Sequence, residues 1–210
     1  MENISKKIAD YLLQIKAIKL QPSNPFTWAS GWKSPIYCDN RKTLSFPEVR
    51  TYIRDSFEYT VTKLYPDTQL IAGVATGAIA HGALVAEKMG LPFIYVRSEA
   101  KGHGLGNQIE GYFEKGQKVV VIEDLISTGG SSLNAVKALR EAGCEVLGMV
   151  AIFTYGFQKA SDGFASEECR LDTLSNYNVL IDCAMNSGYI GQSDIETLKK
   201  WRVDPSVWGV

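Results

Sequence analysis

The sequence predicts an α/β protein built on a mainly parallel sheet flanked by helices, and two observations carry that prediction. Twice, a short apolar run leads into a helical segment and then a second apolar run: QLIAGV, a helix from about Gly77 to Met89, and PFIYVR; then KVVVI, a helix from about Gly130 to Ala142, and EVLGMVAIF. Strands alternating with helices at this length argue for right-handed crossovers between parallel strands. The second observation is punctuation: Gly90 with Pro92, and Gly143, stand where helix ends are expected.

The elements follow in order. Ile4, Ile8, Leu12 and Ile15 recur every three to four residues, so the first segment is an amphipathic helix with one buried stripe. Pro22, Pro25, Gly31 and Pro35 break residues 20 to 42 around the runs FTWAS and PIYCD, predicting a small irregular or β-rich annex. Ser45 with Glu48 has capping-box spacing and opens a helix to about Leu64. The two strand–helix–strand units come next. NVLID at 178 to 182 is expected to add a strand, and Ser193 with Glu196 to cap a last helix through about Trp201. No internal repeat, low-complexity tract or linker interrupts the chain.

Composition narrows the function. The chain has 210 residues, 45% hydrophobic and 21% charged, which fits one globular domain or one domain with a small annex. Lys and Arg number 22 against 23 Asp and Glu, for a net charge of -1. No broad cationic field exists to hold a nucleic acid or an anionic membrane, so any anion must be bound locally. Cys38, Cys144, Cys169 and Cys183 lie far apart, and His81 and His103 are the only histidines, which argues against structural zinc. No apolar stretch approaches the roughly 20 residues needed to span a bilayer. The expected compartment is the cytoplasm, with reduced thiols.

One segment concentrates chemistry. In open parallel sheets, ligands sit beyond the carboxyl ends of the strands. KVVVIEDLISTGGSSLNAV runs from a strand into Glu123 and Asp124, then through Ser127, Thr128, Gly129, Gly130, Ser131 and Ser132 into a helix. Glycines let the backbone curl round an oxyanion, hydroxyls donate to it, and the helix amino terminus adds N–H groups and a favourable dipole. The lysine of a Walker A loop is absent. Two acids immediately before a phosphate site must face something other than phosphate, and sugar hydroxyls, a metal shell or a developing cation all fit. The plainer reading is a strand-to-helix turn in which Asp124 caps the helix; acids, hydroxyls and glycines in this order favour a phosphorylated sugar.

VVVIEDLISTGGSS resembles the phosphoribosyl-diphosphate (PRPP) signature of the type I phosphoribosyltransferases. PFTWASGWKSPIYCDNRKTLS and YVRSEAKGHGLGNQIEG are similar to orotate phosphoribosyltransferases, over nearly the whole chain. The resemblance implies the type I phosphoribosyltransferase fold, with residues 1–44 as an amino-terminal helix and hood over the base site and 45–210 as the PRPP-binding core. It implies transfer of the 5-phosphoribosyl group from PRPP to orotate, giving orotidine 5'-monophosphate and diphosphate in de novo pyrimidine synthesis.

Position by position, it implies that Thr128, Gly129, Gly130 and Ser131 hold the 5-phosphate, that Glu123 and Asp124 face the ribose hydroxyls, and that Leu125 and Ile126 belong to the same PRPP-binding segment. The resemblance further implies that Ser127 also touches orotate and that Arg97, Lys101 and His103 contact the diphosphate, with Lys101, His103 and Asp124 as the catalytic set. Mg2+ is the implied cofactor and rides with the diphosphate, so no metal ligand set is expected of the protein. Lys101 and His103 lie on a lid of about residues 98–111 that closes over the neighbouring subunit's site, so the implied unit is a homodimer. Gly102, Gly104, Gly106 and Gly111 with almost no apolar anchor agree with a lid that a ligand orders. The plain alternative for Lys101 is a solvated surface lysine. His81 is expected to be structural.

Four positions depart from many family members: Ala29, Ala75 with Thr76, Ser98 and Tyr155 stand where a Lys, a Tyr-Lys pair, a basic residue and an orotate-holding Arg are common. Arg41 is the candidate partner of the orotate carboxylate, with a surface or interface role as its alternative. Two other functions are carried: a phosphoribosyltransferase for another base, and a non-catalytic PRPP-sensing regulator.

Overall fold

The computed structural model describes residues 2–28, 31–98, 108–206 and 208. Helix α1 (Glu2–Gln14) buries Ile8 and Leu12 on one stripe, with Ile4 and Ile15 half-buried at its ends. The annex is β-rich: β1 (Ile18–Leu20) pairs antiparallel with β4 (Ile36–Cys38), and between them β2 (Phe26–Thr27) pairs with β3 (Lys33–Ser34). A 3-10 turn over Asn40–Ser45 leads into α2 (Pro47–Leu64).

The Ser45–Glu48 capping box does not form. Ser45 ends the 3-10 turn, Phe46 is the N-cap without a side-chain bond, and Pro47 starts the helix. Proline lacks the N–H that a first-turn cap would satisfy and has its φ preset for the helix. The Glu48 carboxylate instead accepts from the Tyr11 hydroxyl at 2.7 Å, tying α2 to α1.

The core continues through β5 (Leu70–Val74), α3 (Ile79–Met89), β6 (Phe93–Val96), β7 (Ile109–Glu110), β8 (Lys118–Ile126), α4 (Gly130–Glu141) and β9 (Glu145–Thr154). It ends with α5 (Gln158–Ser166), β10 (Leu171–Asn176), α6 (Tyr177–Asn186) and α7 (Gln192–Val203). The main sheet has the order β10-β9-β8-β5-β6-β7, parallel except where β7 meets β6. Gly90, at φ 66°, closes α3 in the left-handed conformation that other residues resist.

Alternation along each strand splits the apolar residues between two layers. Ile71, Val120, Ile122, Val150 and Ile152 join the layer of α1, α2 and α6, whereas Leu70, Ala72, Val119, Val121, Met149 and Ala151 face the layer of α4 and α5. Burial on both faces explains why the central strands read as unbroken Val and Ile runs. Among the described residues no helix is long and apolar enough to cross a membrane.

The carboxyl-terminal third corrects the sequence reading. NVLID is helix, not strand: the Asn176 side chain caps α6 by accepting from the Val179 N–H at 3.2 Å, and Tyr177, Leu180, Ile181 and Ala184 face the core at helical spacing. The added strand is the preceding LDTLSN, at the sheet edge. Helix α7 opens at Gly191, whose N–H donates to Asp194 at 2.9 Å, so Ser193 and Glu196 are not its box.

Candidate active site

Sheet topology fixes where a ligand fits. From β5 the chain crosses to β6 on one side, and from β8 it crosses to β9 and β10 on the other, so the switch point lies between β5 and β8. Their hydrogen-bonded register ends at Gly73 with Ile122, beyond which β8 runs on beside β9 alone. The two chains part there and open a crevice.

A cavity of about 380 Å³ fills this crevice, lined by Val74 to Gly77 after β5, Glu123 to Leu125 on β8, Ser131 on α4, and Cys38, Asp39 and Arg41 from the annex. Glu123 and Asp124 are still strand residues. Glu123 is 4% exposed and accepts from the Ser132 hydroxyl at 2.7 Å and the Asp124 N–H at 3.0 Å. Desolvation pushes the Glu123 carboxyl well above the usual carboxylate range, and the Asp124 charge adds to the push. Burial also raises Asp124, while its bond with Glu123 and the Arg41 charge hold it down. Burial thus pushes both carboxyls up, and Glu123 is the more buried of the two.

Gly77 is the complement of Asp124. A Cβ there would stand against the Asp124 carboxylate, 2.5 Å from Oδ1, so only glycine leaves that carboxylate its place. Asn40, 1% exposed, donates from its amide to the Asp124 carbonyl at 2.5 Å and links the annex to the end of β8. Behind it the Thr43 hydroxyl donates to the Asn40 carbonyl and touches His81 Nε2 at 3.2 Å. Burial drives the His81 pKa down to about 4, so His81 is a neutral structural group.

The 127–131 loop turns into α4 through Gly129, at φ 83°, where a side chain would be strained. No side chain caps α4, which leaves its first N–H groups for a ligand. Ser131 reaches the crevice cavity, whereas Ser127 lines a second cavity.

That second cavity, about 290 Å³, is bounded by Thr27, Trp28, Tyr37, Cys38, Leu125, Ser127 and Tyr155. Cys38 and Leu125 belong to both cavities, so the two meet at these residues. Trp28 stacks on Tyr155 at 5.5 Å, and Trp201 of α7 packs edge-on against both rings. The aromatic side of this slot is thus a stacked pair, Trp28 from the annex on Tyr155 just past β9, with its backing from the carboxyl-terminal helix.

Arg41 lies apart from this slot. Its guanidinium bonds to Asp39 at 2.7 and 3.1 Å and belongs to the crevice cavity. Arg97 stands at the base of the expected lid: its N–H and carbonyl pair with the Gln108 carbonyl and amide at 2.9 and 2.8 Å, and its guanidinium is 3.6 Å from Glu110. Ile109 and Glu110 add a strand to the sheet, so the far end of the 98–111 stretch is anchored. Ile109, packed on the α4 layer, is the apolar anchor that the glycine count overlooked. Lys101, His103 and Ala29 lie outside the described residues.

A family model for the phosphoribosyl transferase domain matches residues 44–187. Two orotate phosphoribosyltransferases, from Porphyromonas gingivalis and Phocaeicola vulgatus, are 56% and 58% identical to this chain, the first over all of both chains and the second over 99% of this chain and 98% of its own. The chain belongs to the orotate phosphoribosyltransferase family. The crystal structure of orotate phosphoribosyltransferase from Aeropyrum pernix superposes with a TM-score of 0.76 at 28% identity, covering 88% of this chain and 99% of that one. The fold is therefore the type I phosphoribosyltransferase fold, and within it the crevice at Asp124 and the aromatic slot are two adjoining cavities.

Four residues in or beside the two cavities had no sequence signal of their own. Asn40 and Gly77 stand in unremarkable contexts, and only their contacts with Asp124 single them out. Tyr37 and Cys38 lay within the familiar PIYCD run, but nothing in that run says which side chains face the slot.

Proposed function

We propose that the protein transfers the 5-phosphoribosyl group of PRPP to orotate, giving orotidine 5'-monophosphate and diphosphate in de novo pyrimidine synthesis. The observation that carries this reading is the meeting of an acid-walled crevice and an aromatic slot at Cys38 and Leu125. A phosphosugar in one and a flat base in the other bring the anomeric carbon and the attacking nitrogen together at that seam. The names of the close relatives support the choice of base.

The loop of Thr128 to Ser131 anchors the 5-phosphate, and Glu123 and Asp124 face the ribose. The C–O bond to diphosphate breaks as the C–N bond forms, and the bonding pair leaves with the diphosphate. Positive charge that develops on the ribose is met by Asp124, already in place and partly desolvated, which is worth more than in water. Glu123 stiffens Asp124 from behind. Arg97, Lys101 and His103 neutralise the leaving group, and closure of the 98–111 segment excludes water. Holding both reactants at the seam supplies the orientation.

The donors fit magnesium. Asp124 presents the hard carboxylate oxygens that Mg2+ prefers, whereas both Asp39 oxygens are taken by Arg41. Mg2+ bound with the diphosphate would neutralise its charge, and Asp124 is the residue to face it. The active unit is a homodimer in which each lid completes its partner's site. Four free cysteines suit a reducing compartment, the cytoplasm.

The test is incubation with PRPP, Mg2+ and, separately, orotate, uracil, adenine and hypoxanthine, following base absorbance and diphosphate release. Loss of orotate with one diphosphate per base supports the reading. Turnover of another base alone, or PRPP binding without turnover of any, overturns it in favour of a different transferase or a sensor.

A further inference from the structure

We propose that Lys33 is the cation that pairs with the carboxylate of the acceptor base. This rests on the reading of orotate as acceptor, and it answers a question that reading raises. Orotate carries a carboxylate into a slot lined by Thr27, Trp28, Tyr37, Cys38, Leu125, Ser127 and Tyr155, none of them cationic. Desolvating a carboxylate without a partner is costly, so the charge must come from the rim.

The β2–β3 hairpin delivers it there. Thr27 and Lys33 stand directly opposite in the ladder, which puts both side chains on one face of the hairpin. Thr27 lines the slot, and the Lys33 ammonium donates to the Thr27 hydroxyl at 2.8 Å. The ammonium is thus one hydroxyl away from the cavity, with two more protons to donate. The Thr27 hydroxyl, accepting from Lys33, keeps its own proton for the same carboxylate. Among the described residues no carboxylate pairs with Lys33, so its charge is free to meet a ligand's.

The neighbouring arginines are committed elsewhere. Arg41 is bound to Asp39 on the crevice side. Arg202 donates to the Tyr155 and Gly156 carbonyls at 3.3 and 3.2 Å, and it opens into a different groove, between α6 and α7. Among the described residues Lys33 is the cation beside the slot at its rim.

The experiment compares the wild type with Lys33→Met, which keeps the length and removes the charge, Lys33→Arg, and Thr27→Val. Steady-state constants are measured for orotate and PRPP, with inhibition constants for the neutral 6-carboxamide of orotate. Lys33→Met should raise KM for orotate at least tenfold, leave KM for PRPP unchanged and keep kcat at saturating orotate within about threefold, with the melting temperature unmoved because Lys33 is exposed. The carboxamide should bind wild type and Lys33→Met alike, Lys33→Arg should restore orotate affinity, and Thr27→Val should show a smaller orotate-specific loss. An unchanged KM for orotate in Lys33→Met, or an equal loss for orotate and carboxamide, overturns the assignment. If wild type converts orotate while those results fail, only Lys33 is wrong; if wild type converts another base and not orotate, the acceptor reading falls and this inference with it.

Discussion

Gly77→Ala isolates the part of the site on which the chemistry most depends. The added Cβ would stand 2.5 Å from Asp124 Oδ1, against an ordinary contact distance of roughly 3.4 Å or more, so the carboxylate must withdraw by about 1 Å. Gly77 does not occupy the left-handed region, so alanine adds no backbone strain there. The clash falls on the end of one side chain, and its cost in stability should stay within about 1 kcal/mol. Misplacing a reacting-site group by about 1 Å can cost on the order of a hundredfold in rate, similar to removing a single preorganised electrostatic contact. The expected result is a kcat about a hundredfold down, close to that of Asp124→Asn, with KM for PRPP changed severalfold at most and a nearly native melting temperature. Combining Gly77→Ala with Asp124→Asn should cost little more than either, since both remove one contact. Wild-type kcat in Gly77→Ala, or fully additive losses in the double variant, would refute a catalytic role for the Asp124 position.

Asn40→Ala leaves the Asp124 carbonyl without its buried donor and should lower stability by about 1–3 kcal/mol in urea unfolding, a loss that a surface variant such as Lys199→Ala should not show. His81 is held at a pKa of about 4 against 6.5 in the unfolded chain, so the unfolded state binds the extra proton between these values. The stability His81 contributes is present above pH 6.5 and is lost as the pH falls toward 4, by at most roughly 3 kcal/mol. Unfolding free energies at pH 7 and pH 4.5 should show this fall in wild type and a shallower one in His81→Gln. For the shared lid, co-refolding equal amounts of Lys101→Ala and Asp124→Asn makes about half the dimers mixed, each with one intact site, so activity should recover to about one quarter of wild type. Mixed dimers, identified by differential tags, that stay inactive would mean that each lid serves its own subunit.

The sequence was legible where one pattern had one structural meaning. Apolar runs buried on both faces gave β5, β8 and β9 their place in a parallel sheet, and the acids near the end of β8 stand with Ser131 of α4 around the crevice. It was ambiguous where two patterns competed. NVLID is short and apolar enough for a strand, and only the Asn176 cap and the helical spacing from Tyr177 to Ala184 decide for α6. Ser45 has a capping spacing, but Pro47 two residues on moves the helix start past it. Contacts between distant segments carry no local signal, which is why Asn40 meeting Asp124, Gly77 making room for it, and Trp201 backing the aromatic slot emerge only from the fold. The same limit applies to Arg41, whose partner Asp39 is two residues away and holds it on the crevice side.

The most direct measurement is a crystal structure of the protein with orotidine 5'-monophosphate, which occupies both cavities at once. The pyrimidine should lie in the cavity lined by Thr27, Trp28, Tyr37 and Ser127, the phosphate on the loop from Thr128 to Ser131, and the ribose hydroxyls toward Asp124, with the glycosidic bond at the seam of Cys38 and Leu125. A nucleotide bound with its base outside the aromatic slot, or with its phosphate away from that loop, would contradict the assignment of the two cavities.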